Sequence, residues 1–113
     1  MRVSYDTMYQ EFVRVLLKRG FTKEKAELSA KLYADASRDG VYTHGLNRFP
    51  KFMTSIDKGC VNIQAEPVLK ESFGFFERYD GQQGPGNLNA YACMKRTIEL
   101  AKKHTMGCVA LSN

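Results

Sequence analysis

The sequence predicts an α/β chain: three helices, then a β-hairpin and a strand-helix-strand unit. Three observations predict it. Apolar residues recur at helical spacing up to about residue 58, punctuated by caps and glycine stops. After Cys60 the pattern changes to short runs that alternate or stay apolar, as strands do. Between the last two of those runs lies one long helix-period segment. A strand, a crossover helix and a second strand imply parallel pairing and a right-handed connection.

Taken in order, Ser4 caps a first helix that runs to about Arg19. Met8, Phe12, Val15 and Leu16 fall on one face of it, and Gly20 is its stop. Thr22 caps the second helix, with Phe21 and Ala26 placed for a hydrophobic staple. Ala26, Ala30, Tyr33 and Ala36 share a stripe, and Gly40 closes the helix. Side chains this small suit close helix-helix contact or a face buried in a dimer. A third helix lies between about residues 43 and 58, with Phe49, Phe52, Met53 and Ile56 as its apolar stripe. Pro50 is awkward inside one continuous helix. Either the helix proper starts near Pro50, or a short turn over residues 44–47 precedes a kink.

Residues 61–66 read as an extended linker. Strands are expected over 68–72 and 75–79, around Phe73 and Gly74. A turn-rich loop over 81–86 leads to a helix capped by Asn87 and ending near His104. Leu88, Tyr91, Ala92, Lys95, Ile98 and Ala101 are its expected inner side. Residues 107–112 form a short apolar run, expected as a buried strand. The division is thus a helical part, 1–60, and an α/β part, 61–113. The sheet of such a unit has unpaired edges that call for cover.

The 113 residues suffice for one domain of ordinary size, and 43% hydrophobic content for a core. No apolar run approaches the roughly 20 residues of a membrane span. Ser4, Tyr5 and Asp6 interrupt the start before an apolar block forms, so no signal peptide is expected. Cys60, Cys93 and Cys108 are odd in number and lack metal-ligand spacing. They read as reduced, buried thiols of a cytoplasmic protein. The net charge of +5 comes from 17 basic and 12 acidic residues, dispersed among one another. That is a solvated surface rather than a nucleic-acid footprint. Its mild positive field favours anionic ligands.

The chemistry concentrates in residues 40–50. His44 can exchange a proton near neutral pH. Arg48, four residues on, can hold a carboxylate through two parallel hydrogen bonds. On a helix that spacing puts both groups on one face. Together they would orient a small 2-oxo or 2-hydroxy acid and move a proton at its oxygen. Set against this are a structural role for His44 and a surface ion pair of Arg48 with Asp57 or Asp39. Tyr42 can donate a hydrogen bond into the site or pack. His104, beside Lys102 and Lys103, suits a cation at a helix carboxyl terminus. The two histidines lie far apart with no third ligand, which argues against a metal. Gly81, Gly84 and Gly86 follow a strand and open a helix, the context of a phosphate cradle, but their order is not the dinucleotide fingerprint. A plain turn with a cap is the better reading. Other classes consistent with the pattern are a basic helical nucleic-acid module and a non-catalytic dimerisation module.

Thr43-His44-Gly45-Leu46-Asn47-Arg48-Phe49-Pro50 resembles the Ser/Thr-His-Gly-x-x-Arg-x-Pro signature of the malate/L-lactate dehydrogenase family that lacks a Rossmann fold. The similarity extends over the whole chain. It implies an NAD(P)H-dependent oxidoreductase reducing a 2-oxo acid such as 2,3-diketo-L-gulonate. In that picture His44 is the proton donor and Arg48 binds the substrate carboxylate. Thr43 stands where many relatives carry serine and keeps the hydroxyl for a substrate hydrogen bond. The resemblance also implies a homodimer with the early helices at its interface. Family members are far longer, so this reads as an amino-terminal, incomplete piece of a larger two-domain fold. Most contacts to NADH or NADPH would come from later segments, and no turnover is expected of these residues alone.

Overall fold

A computed structural model describes residues 2–113. It divides into two compact units, Met1–Ile63 and Gln64–Asn113. The first is helical: α1 (Tyr5–Lys18), α2 (Lys23–Arg38), a short 3-10 turn (Tyr42–His44) and α3 (Phe49–Asp57). The second holds β1 (Val68–Phe73), β2 (Phe76–Asp80), α4 (Gly86–His104) and β3 (Cys108–Ser112). An α/β chain with a hairpin and a strand-helix-strand unit is what the pattern predicts.

The helical starts are set locally. Ser4 Oγ accepts the Thr7 N–H, and Thr22 Oγ1 accepts the Lys25 N–H. Each bond satisfies a first-turn donor that the helix itself leaves unpaired. Gly40, at φ 85°, turns the chain sharply after α2. Ala26, Ala30 and Ala34 are fully buried beside Ser29, so the small-residue stripe is spent inside this unit. It runs through Ala34 rather than Ala36, which is half-buried.

Phe12, Leu16, Phe21, Tyr33, Phe49 and Met53 complete the core. Its centre is aromatic. Phe49 stacks on Phe12 with centroids 4.2 Å apart and meets Tyr33 edge-on at 5.3 Å. Tyr33 also leans on Phe52, which meets Phe21 edge-on. Three helices therefore converge on the first residue of α3.

In the second unit β1 and β2 form an antiparallel hairpin closed at Phe73↔Phe76. Gly74, at φ 59°, and Phe75 make its turn, so Phe75 lies outside the strand expected to begin there. β2 pairs in parallel with β3 across α4.

Three expectations are corrected here. Pro85, not Asn87, is the cap residue of α4, and Asn87 lies within its first turn. The helix also faces the other way. Its buried side is Asn89, Cys93 and Leu100, while Tyr91, Lys95 and Ile98 are exposed. The reason is polar. Asn89 Nδ2 donates to Gly81 O at 3.0 Å, and Arg96 grips Glu77 of β2 through Nε and Nη2 at 2.7 and 2.8 Å. Those partners turn polar residues inward, and Tyr91 takes Lys95 over its ring outside. Lastly, β3 is outermost among the three described strands and only half-buried, with Cys108 exposed. Cys60 is exposed too. All three thiols are free, and Cys93 alone is buried.

Glu77 is 4% exposed and carries the one buried carboxylate among the described residues. Arg96 holds its carboxyl down at about 2, against burial that pushes it up, and the Tyr79 hydroxyl assists by donating at 2.9 Å. A depressed carboxylate stabilises the fold above its ordinary value of 4.5 and loses that contribution as pH falls towards 2. Replacing Arg96 with Met should therefore cost about 3 kcal/mol at pH 7, the low end for an uncompensated buried charge because Arg96 is itself partly wet. In urea titrations the gap between variant and parent should narrow from pH 4.5 downwards; a gap independent of pH would contradict it.

Candidate active site

After α2 the chain folds straight back. The Val41 N–H bonds to Ala36 O at 2.8 Å, and Tyr42–His44 make one tight turn in which the His44 N–H bonds to Val41 O. Gly45 then leaves the helical region, at φ −101° and ψ −130°. That break means His44 and Arg48 do not share one continuous helix, as their spacing alone suggests. Residues 45–48 form a turn closed by the Arg48 and Phe49 N–H groups on Gly45 O. α3 starts at Phe49, so Pro50 falls in the first turn, where a missing N–H costs nothing.

His44, Thr43 and Arg48 are all exposed on this turn. Thr43 Oγ1 lies 2.9 Å from His44 Nδ1, which holds one ring nitrogen and leaves Nε2 for another partner. Neither anticipated carboxylate pairs with Arg48. Asp57 binds Arg19 through both oxygens at 3.1 Å, and Asp39 binds Arg38 at 3.3 Å. Among the described residues Arg48 has no ion-pair partner. Its charge does reach Tyr33, whose phenol burial pushes up to about 12 while Arg48 pulls the other way. Tyr42 is 64% exposed, so it does not pack in the core, and Val41 and Leu46 add further exposed apolar surface beside His44.

The residue that sequence reasoning missed is Ser37. Its Oγ accepts the Leu46 N–H at 2.7 Å. Gly45 lies against it so closely that a Cβ there would overlap Oγ and come within 2.7 Å of the Ser37 nitrogen and 2.9 Å of its Cα. The glycine of the motif was the available signal, since close backbone approach is what glycine permits. Its partner, nine positions away, left none.

Most of the glycine-rich loop's N–H groups are already taken. The N–H groups of Gly81, Gln82, Gln83 and Gly84 bond to Ser112 O, Asp80 Oδ1, Asn113 O and Gly81 O, and the next residue is a proline. His104 ends α4 beside Lys102 and Lys103, where cations meet the partial negative charge of the last carbonyls. No three His, Cys, Asp or Glu side chains among the described residues are grouped as metal ligands, and none of the described helices is long and apolar enough to cross a membrane.

Residues 3–113 match the family described as malate/L-lactate dehydrogenase. The chain belongs to the malate/L-lactate dehydrogenase family. It is 44% identical over its full length to the 2,3-diketo-L-gulonate reductase of Pasteurella multocida and 45% identical to that of Haemophilus influenzae, covering 34% of each. The solved malate dehydrogenase of Pyrococcus horikoshii superposes with a TM-score of 0.93 at 31% identity, over 98% of this chain and 32% of that one. The chain thus spans about a third of the length of the family members it matches. Those relatives are named as dehydrogenases and reductases of hydroxy and oxo acids.

Gly45→Ala tests the turn directly. The clash falls on backbone atoms of α2 that cannot swing aside, so a loss of about 2 kcal/mol is expected, read by thermal or urea unfolding. Unchanged stability would contradict the close approach.

Proposed function

We propose that this chain is the amino-terminal part of an NAD(P)H-dependent oxidoreductase that reduces a 2-oxo acid to the 2-hydroxy acid, with 2,3-diketo-L-gulonate as the favoured substrate. One observation carries the reading: His44, with Nδ1 taken by Thr43, and Arg48, with no carboxylate partner among the described residues, stand exposed on the short, pinned stretch that joins α2 to α3. The names of the relatives support the substrate class.

In this reading Arg48 takes the substrate carboxylate in a two-pronged hydrogen bond, which fixes the keto carbon relative to the turn. His44 Nε2 gives its proton to the oxygen as the carbonyl becomes a hydroxyl, and takes it back in the oxidative direction. Thr43 Oγ1 keeps the imidazole from rotating and lies within reach of a substrate hydroxyl. NADH or NADPH supplies the hydride when bound. The glycine-rich loop offers little to a nucleotide phosphate, because Gly81, Gln82, Gln83 and Gly84 spend their N–H groups internally. The cofactor contacts are assigned to the part of the relatives' length that this chain does not cover. Residues 1–60 then carry the site and contacts of a homodimer, and 61–113 begin the cofactor-side α/β domain. Three free thiols fit a cytoplasmic setting.

The test joins this chain to the remaining two-thirds of the Pasteurella multocida reductase. In the joined enzyme His44→Gln should lower kcat by roughly 10²–10⁴-fold, and Arg48→Met should raise KM for the 2-oxo acid. Full turnover in His44→Gln would overturn the assignment. The 113-residue chain by itself should show no NADH or NADPH oxidation with 2-oxo acids; a rate comparable to an intact relative would contradict that.

A further inference from the structure

α2 presents two residues one turn apart towards the Thr43–Arg48 stretch. Tyr33 packs on Phe49, the residue after Arg48. Ser37 meets Gly45 and Leu46, the residues after His44. A serine inside a helix commonly turns its hydroxyl back to its own preceding carbonyls. Here the Ser37 oxygen is committed outwards, to an N–H of another segment.

The consequence for His44 is geometric. Before it, the chain is fixed by the turn that closes on Val41 O. After it, Gly45 is buried and lies on the α2 backbone with no room for a Cβ, and the next N–H is tied to Ser37. His44 is exposed, and no core contact holds its ring. Its direction therefore depends on the backbone either side and on the Thr43 bond.

We infer that Ser37 is a positioning residue for His44, a clamp that fixes where the imidazole points by anchoring the Gly45–Leu46 peptide to α2. This rests on the reading of His44 as the proton donor. Such a donor needs placement: a displacement of about 1 Å at a reacting centre can cost 10²-fold in rate. Within the motif Thr43 contributes the bond to the ring, while the anchor of the peptide that follows lies outside it, on α2.

The test uses the 113-residue chain labelled with ¹⁵N. Ser37→Ala should speed exchange of the Leu46 amide at least tenfold and move the His44 ring nitrogens towards the shifts of a freely rotating imidazole. The His104 ring, on α4, should stay unchanged and serves as the internal control. Ser37→Thr keeps the hydroxyl and should restore the His44 signature. The inference is overturned if Ser37→Ala leaves the His44 ring and Leu46 as they were, or disturbs His104 equally. Should Ser37→Ala fail to fold, Ser37→Thr decides, by a parental or a displaced His44 ring. These readouts need no turnover. Failure of the proton-donor reading shows separately, as an active His44→Gln joined enzyme.

Discussion

The packing of Phe49, stacked on Phe12 and edge-on to Tyr33, is the contact on which the helical unit depends. It brings one aromatic ring from each of three helices to a single point. Truncating such a ring costs about 3–5 kcal/mol, whereas an exposed ion pair such as Arg19–Asp57 contributes about 0–1 kcal/mol. The ring cluster, not the surface charge, therefore sets where α3 begins. Because Phe49 is its first residue, the same contact fixes Arg48 one position earlier. The proposed carboxylate anchor is exposed, yet its backbone is tied to the buried aromatic cluster.

The second unit is held differently. Its apolar core is small, with Cys93 and Leu100 as its buried hydrophobics, while Val68, Leu69 and Phe73 remain exposed on β1. What orients α4 is polar: Glu77 with Arg96 across helix and strand, and Asn89 on Gly81 O. Such pairs add less net stability than well-packed apolar groups, but a wrong rotation of the helix would leave the carboxylate buried and unpaired. They select one orientation among several that apolar burial alone would allow.

That contrast explains what could be read from the sequence. The caps at Ser4 and Thr22 were legible because each is a bond over three residues. The spacing of His44 and Arg48 was legible as a pattern, but the helix it implied does not form. Gly45 interrupts it, and a separate turn closed on Gly45 O carries Arg48. The face of α4 was misread because Asn89 and Arg96 look solvent-facing until Gly81 O and Glu77 are in place. β3 looked buried because an apolar run carries no sign of lying at an edge. Ser37 was invisible, since its role is defined by a peptide nine residues away.

The most direct measurement is a titration of the ¹⁵N-labelled chain with pyruvate, the simplest 2-oxo acid, followed at the His44 ring and the Arg48 Nε–H. A site at this turn predicts that both signals shift together and saturate, while His104 and the lysines beside it stay unmoved. Shifts that grow without saturating, or that favour the basic end of α4, would contradict it.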